Sequence, residues 1–343
     1  MSSRLGVAAA LAGTALALGG CANLGARRLP DDRIDYNEAL RESDTALVLT
    51  NVVALRFGES PSFLSVGSIV SQYERNGFFN PNPRIPPYGG DPAATLSGQA
   101  FLRETPTVTY TPVTGEKFVQ SVLEPMPPQT LLSMIQAGWA VDSLFRFAVR
   151  SINGVRNESR APLFAQRGDP EFEQALAALR RLQRDNKLSM RVTKHDKTFA
   201  AHAHLSGELS EANRADVALV KRVFRMRSAA FKGEVTIVAA EAAETPNELA
   251  IATRSMMEVL QMMSLGVDVT GEGRFDPDAP IRVHSGPKRP ETVYAAIRRR
   301  GRWYWIASDD TASQRAIMLA EVLMVVNAQG DTKLTPLLTV PAG

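Results

Sequence analysis

The 343-residue chain has one cysteine, four histidines and three tryptophans. A single cysteine rules out an internal disulfide and any zinc or iron–sulfur site built on several thiolates. Excess charge of one sign is missing as well. Lys and Arg number 39 and Asp and Glu 36, and of these only Arg4 falls in residues 1 to 20, so the remainder stands near +2. That excludes the concentrated basic footprint of a nucleic-acid binder. After residue 20 no uninterrupted apolar run reaches the ~18 residues of a membrane span. Also lacking are the Gly-x-Ser-x-Gly elbow of serine hydrolases, the phosphate-cradling Gly-x-x-x-x-Gly-Lys loop and the Gly-x-Gly-x-x-Gly dinucleotide turn. Gly271-Glu-Gly273 has neither the third glycine nor a following helix, and reads as a loop. What is present is ordinary globular material, 44% hydrophobic and 22% charged, enough for a sizeable core.

The amino terminus carries the sharpest signal. Arg4 precedes an uncharged Ala/Leu/Gly-rich stretch, Leu5 to Leu18, which has the length of a signal-peptide core and is too short for a permanent span. It ends in Leu18-Gly19-Gly20-Cys21, which resembles the lipobox of bacterial lipoproteins. The resemblance implies removal of residues 1 to 20, thioether lipidation of Cys21 and acylation of the new amino terminus. Ala22, rather than an aspartate, after the cysteine implies sorting to the periplasmic face of the outer membrane. A plain secretory leader that happens to hold a cysteine is the alternative. Several acyl chains on one residue give a stable anchor where a single chain holds only marginally, each buried methylene adding ~0.8 kcal/mol.

Residues 21–34 read as a lipidated tether. Asp35-Tyr-Asn-Glu38 has the spacing of a helix N-cap, and a helix from Tyr36 to about Phe57 follows, apolar around its second half and so expected in the core. Phe63 to Val70 is strand-like. Asn76 to Gly98 holds Asn80-Pro-Asn-Pro, Ile85-Pro-Pro-Tyr and Gly89-Gly90-Asp-Pro, and is expected to be an irregular loop, either a mobile packing loop or one that binds through Phe78, Phe79 and Tyr88. Thr107 to Thr111 alternates as a strand. Short helices are expected at Gly115–Leu123, Gln129–Ala137 and Ala140–Ile152, the last ended by Asn153-Gly154. Arg156 to Gly168 is polar and irregular, the natural boundary between a helix-rich lobe, 35–160, and an α+β lobe, 161–343.

In the second lobe Asp169-Pro170 opens a helix, Leu188–Thr193 and Glu234–Ala239 read as strands, and Glu211 to Arg227 as a helix. Thr245-Pro-Asn-Glu248 has the form of a capping box for a helix running to Gly266. Val293–Arg298 and Arg302–Ala307 flank a turn at Gly301, with Trp303 and Trp305 on one face. Thr311-Ala-Ser-Gln314 starts a final helix. The expectation is an α+β fold with helices packed on a mixed or antiparallel sheet.

Chemistry-bearing residues are sparse. His195, His202 and His204 lie within ten residues, and on a strand the 202/204 pair would share a face, as the ligands of some zinc or copper sites do; solvent-exposed or locally bonded histidines are the plainer account. His284 has no nucleophile or carboxylate at informative spacing. Asp309 and Asp310 precede Thr311, where capping and helix-dipole complementarity explain them better than paired acid catalysis. Basic groups at Arg180-Arg181-Arg184, Lys221-Arg222-Arg225-Arg227 and Arg298 to Arg302 read as solvated faces, the third flanking a hairpin turn that suits anionic lipid headgroups or cell-wall polymers. Met256, Met257, Met262 and Met263 read as core filling, or as an adaptable groove.

The run Asp35-Tyr-Asn…Leu49-Thr-Asn-Val-Val-Ala-Leu-Arg56 with Ser60-Pro-Ser-Phe-Leu64, the Trp303-Tyr-Trp-Ile strand and the terminal Pro336-Leu-Leu-Thr-Val-Pro-Ala-Gly343 resemble a group of uncharacterised bacterial envelope lipoproteins. That resemblance brings no catalytic residues and no cofactor. The resulting expectation is a lipid-anchored, extracytoplasmic binding or assembly component without enzymatic activity, whose partners are the membrane, through Cys21, and another envelope protein. The alternative is an envelope hydrolase or metal-dependent enzyme using the His195, His202 and His204 region.

Overall fold

The computed structural model describes residues 24–84, 93–195, 198–226, 235–245 and 248–328. It is α+β, in two units. The first takes in residues up to Arg41 together with Phe63–Val113, and the second Glu42–Ser62 and Thr114 onward. Residues 156–168, expected as the lobe boundary, lie inside the second unit.

Helix α1 runs from Leu24 to Arg56. It therefore begins eleven residues before Asp35 and continues through Pro30, so most of the expected tether is helical. Residues 30 to 44 are mostly exposed, and Glu38 and Arg41 pair at i,i+3 along that polar stretch. The second half behaves as its composition demands, with Leu49, Val52 and Val53 fully buried. Gly58, at φ +71°, ends it. Asn51 then fixes the exit, its amide donating to the Ser62 carbonyl at 2.9 Å and accepting from the Ser62 N–H at 2.8 Å.

The first unit contains a two-stranded antiparallel ribbon, β1 Leu64–Arg84 and β2 Ala93–Pro112, in one ladder from Leu64↔Pro112 to Arg84↔Ala93. This corrects the expected irregular loop over 76–84 and 93–98. Prolines break a ladder only where their missing N–H was needed, and in a two-stranded ribbon every second N–H points away from the partner. Asn80-Pro-Asn-Pro is accommodated that way. Residues 85 to 92, Tyr88 among them, lie outside the described residues.

In the second unit the chain continues with α2 Gly115–Phe118, extended by a π-helical turn Val119–Leu123, then α3 Pro128–Gln136 and α4 Val141–Ala148. The helix expected to reach Ile152 stops at Ala148. Val149–Ile152 is strand β3, hairpinned to β4 Val155–Arg156 through Asn153-Gly154, both at positive φ. These dihedral signs are those of a two-residue primed turn, which Asn-Gly favours. Helix α5 Pro170–Arg184, strand β5 Leu188–His195, helix α6 Glu211–Val223 and strand β7 Val235–Val238 follow as the residue pattern predicts, and strand β6 Thr198–Leu205, which that pattern does not mark, pairs with β5.

A second correction concerns Thr245 to Gly266. Glu248 does reach back, accepting from the N–H groups of Glu244 and Thr245, but the chain then forms strand β8 Glu248–Thr253. Ala250 and Ile251 are buried in the sheet interior, where extended backbone wins over a local helical signal. Helix α7, Met256–Ser264, starts ten residues beyond the expected cap, at Ser255, whose hydroxyl accepts from the Glu258 N–H.

The main sheet has the order β4-β3-β8-β7-β6-β5, antiparallel except for β7 beside β8. A smaller antiparallel sheet has the order β10-β11-β9, from β9 His284–Gly286, β10 Val293–Arg299 and β11 Arg302–Ala307. Its inner face buries Tyr304 and Ile306. Helix α8, Thr311–Asn327, is capped by Asp310, which accepts from the Ser313 N–H and hydroxyl. No described helix is long and apolar enough to cross a membrane.

Candidate functional site

The second unit holds a cavity of about 620 Å³ where the end of α4, the segment 157–168, the start of α5, the far half of α7 and the segment 276–280 converge. Phe147, Phe172, Met262, Leu265 and Pro280 supply its apolar surface. The segment 157–168 owes its shape to side chains that replace absent sheet partners. Asn157 is buried and donates to the carbonyls of Arg146 at 3.0 Å and Val149 at 2.7 Å. Gln166 donates to the carbonyls of Arg150 and Asn157, and its backbone exchanges two hydrogen bonds with Ser159. Gly168 touches the same wall so closely that a Cβ there would lie 2.7 Å from the Glu158 nitrogen.

Behind the apolar surface lies Arg254, wholly buried, between β8 and α7. Its Nε donates to Glu258 Oε1 at 3.2 Å, Nη1 to the Arg146 carbonyl at 2.7 Å and Nη2 to the Glu158 carbonyl at 2.6 Å. Glu258, equally buried, accepts a second cation, Arg150, at 2.7 Å. Burial pushes the Arg254 guanidinium down to about 10 against the favourable pull of Glu258, with Arg150 adding repulsion. It remains a cation at neutral pH. One arginine thus ties α4, the segment at Glu158 and α7 together and shapes the cavity wall.

At the rim every ionised group is engaged by a neighbour of opposite sign. Arg146 grips Glu173 through Nε and Nη2 at 3.0 and 2.7 Å, and that hydrogen bond holds the guanidinium above its ordinary range. Arg160 reaches Asp278 at 2.8 Å, Glu158 at 3.1 Å and Asp276 at 3.6 Å. Asp169 accepts the Arg156 N–H at 2.8 Å, and that bond, with the Arg156 guanidinium, keeps its carboxyl below the usual carboxylate range. Such pairs ring an apolar pocket with neutralised charge, a composition in keeping with a site that binds by shape with a few polar contacts.

The expected site residues fall elsewhere. Cys21 and Arg227 lie outside the described residues. His202 pairs with Arg191 and His204 with Ser189, while His195 pairs with Thr198 at the hairpin end. Four register steps separate His195 from Arg191, about 13 Å at ~3.3 Å per residue. No group of three or more His, Cys, Asp or Glu suited to a metal occurs among the described residues whose side chains are placed. His284 stacks on Trp305, its cross-strand partner, at 5.7 Å and meets Phe275 edge-on at 4.9 Å. Asp310 is a cap, as its position before Thr311 suggests. Of the basic groups, Arg181 forms a two-point pair with Asp216 at 2.6 and 3.0 Å, Arg299 and Arg300 both bind Glu59, and Arg302 donates to the Thr270 carbonyl. Met256, Met262 and Met263 are buried. Gly271 and Gly273 are loop residues whose N–H groups bind Asp268.

Arg254 and Glu258 were not singled out by sequence reasoning. Their signal is an i,i+4 ion pair set among apolar residues, Arg254-Ser-Met-Met-Glu258, where a surface pair would have polar neighbours. The chain matches no family model, and no curated protein or solved structure matches it.

Proposed function

We propose that this chain is a lipid-anchored component of a bacterial cell envelope, held through Cys21 at the periplasmic face of the outer membrane, and that it works by binding or assembly rather than by catalysis. The Leu18-Gly19-Gly20-Cys21 run at the end of an uncharged leader core supports the anchor. The observation that carries the binding half is the cavity beside Arg254. Its apolar surface is ringed by arginine–carboxylate pairs that hold one another at 2.7 to 3.6 Å, an arrangement that orients a guest and spends its charges on rigidity.

The test is native mass spectrometry of the full chain extracted in mild detergent. The parent should carry a small molecule that Met262→Trp, which fills the cavity, releases while keeping the parental circular dichroism. Identical spectra for parent and folded variant, or conversion of the bound molecule by the parent, would overturn the reading.

A further inference from the structure

The β1–β2 ribbon points to what the chain assembles with. Each strand spans about twenty residues, against the five or six usual in globular sheets, and isolated two-stranded ribbons are marginal in water. Among the described residues neither outer edge is covered by a further strand. Leu64 and Tyr110 are 45% and 57% exposed near its base.

The register states which backbone groups face outward. Val113 donates to Phe63 across the base of the ribbon, so odd positions of β2 point their N–H inward and even positions outward. Pro106 and Pro112 occupy even positions, and Pro81 and Pro83 lie opposite even positions 96 and 94. All four prolines therefore fall where no internal hydrogen bond is lost. On β1 the outward set from Ile69 to Phe79 contains no proline, so that edge can accept another strand, while the outer edge of β2 lacks donors at Pro106 and Pro112 and keeps them at the other even positions from 94 to 110.

We propose that copies of this chain pair through these edges, β1 of one copy beside β2 of the next, in a head-to-tail ring that closes into a β-barrel. This inference rests on the assembly reading above and names its partner as a second copy. Two observations select the contact. Outward positions must meet outward positions, and among the registers that satisfy this, one brings position 75, an arginine, beside position 104, a glutamate. Within the ribbon Arg75 is instead opposite Leu102, so neighbouring copies are staggered by two residues relative to the internal ladder. Two residues per two-stranded copy is one per strand, the ratio of shear to strand number found in eight-stranded barrels with strands tilted ~36°. A repeated head-to-tail contact closes a ring when its rotation divides a full turn, and closure leaves neither edge of the ribbon without a neighbouring strand.

The test uses the full lipidated chain in detergent. Chains carrying Arg75→Cys are mixed with chains carrying Glu104→Cys and oxidised, and mass is measured by light scattering. A mixed disulfide and a mass of several copies are expected. Arg75→Glu should weaken association about tenfold or more, and adding Glu104→Arg should restore it, with the thermal transition of the second unit unchanged throughout. A single-copy mass without cross-link, or charge variants that associate like the parent, would overturn the proposal. Palmitate incorporation measured on the same samples separates the two readings: a labelled single copy sinks the ring alone, and an unlabelled ring sinks the anchor alone.

Discussion

Arg254 donates its Nε to the Glu258 carboxylate at 3.2 Å from one helical turn away, and both side chains are shut off from solvent. Arg150 shares the same carboxylate at 2.7 Å, so one buried anion balances two arginines. Breaking such a pair from one side leaves an uncompensated charge in the interior, which costs about 3–5 kcal/mol. Glu258→Gln should therefore lower the urea midpoint of unfolding by that amount of free energy. The paired replacement Arg254→Met with Glu258→Leu should cost less than Glu258→Gln alone, and a larger loss for the double variant would show that Arg254's carbonyl contacts dominate.

Gly266 closes α7 against the segment leading to Val283. A Cβ at this position would lie 1.8 Å from the Ile281 carbonyl oxygen, so the backbone itself must move. Gly266→Ala should destabilise by about 1–3 kcal/mol or more, read by denaturant unfolding. Gly273, with nothing within 4 Å but φ +71°, suffers from backbone strain alone and should lose less, about 1 kcal/mol.

Asp268 is buried and its carboxylate accepts from the Thr270 hydroxyl at 2.8 Å and from the N–H groups of Thr270, Gly271 and Gly273 at 2.6 to 3.0 Å. Burial alone raises its pKa, but these hydrogen bonds outweigh it and hold the carboxyl below its ordinary value. A lowered folded pKa means stability that is fully present above the unfolded value of ~3.9 and lost as pH falls through the folded one. Asp268→Asn should be less stable than the parent by about 1–3 kcal/mol at pH 7. The gap should narrow below pH ~4, and a gap independent of pH would contradict the assignment.

How much of this was legible in the residues follows from how local each signal is. The Trp303-Tyr-Trp-Ile hairpin and the Asp169-Pro170 helix carry their own periodicity and breakers, and both form as expected. Val149–Ile152 and Glu248–Thr253 are short apolar runs next to true helices, and their pairing with each other, Ile152 opposite Ile251, and with β4 and β7 makes them strands. The stretch from Asn80 has the composition of a loop because proline depletes donors, and it is a strand because the missing N–H groups fall where the ladder needs none. The cavity was least accessible of all. Arg146, Glu158, Asp169, Arg254 and Asp278 come from segments more than a hundred residues apart at the extremes, and no local spacing records their meeting.

The proposed compartment rests on the lipid anchor at Cys21. The direct measurement is incorporation of labelled palmitate into the full chain expressed in a double-membraned bacterium, beside Cys21→Ser. Label and detergent-phase partitioning are expected for the parent and neither for the variant. A parent that takes up no label and remains in the aqueous phase would contradict the anchor.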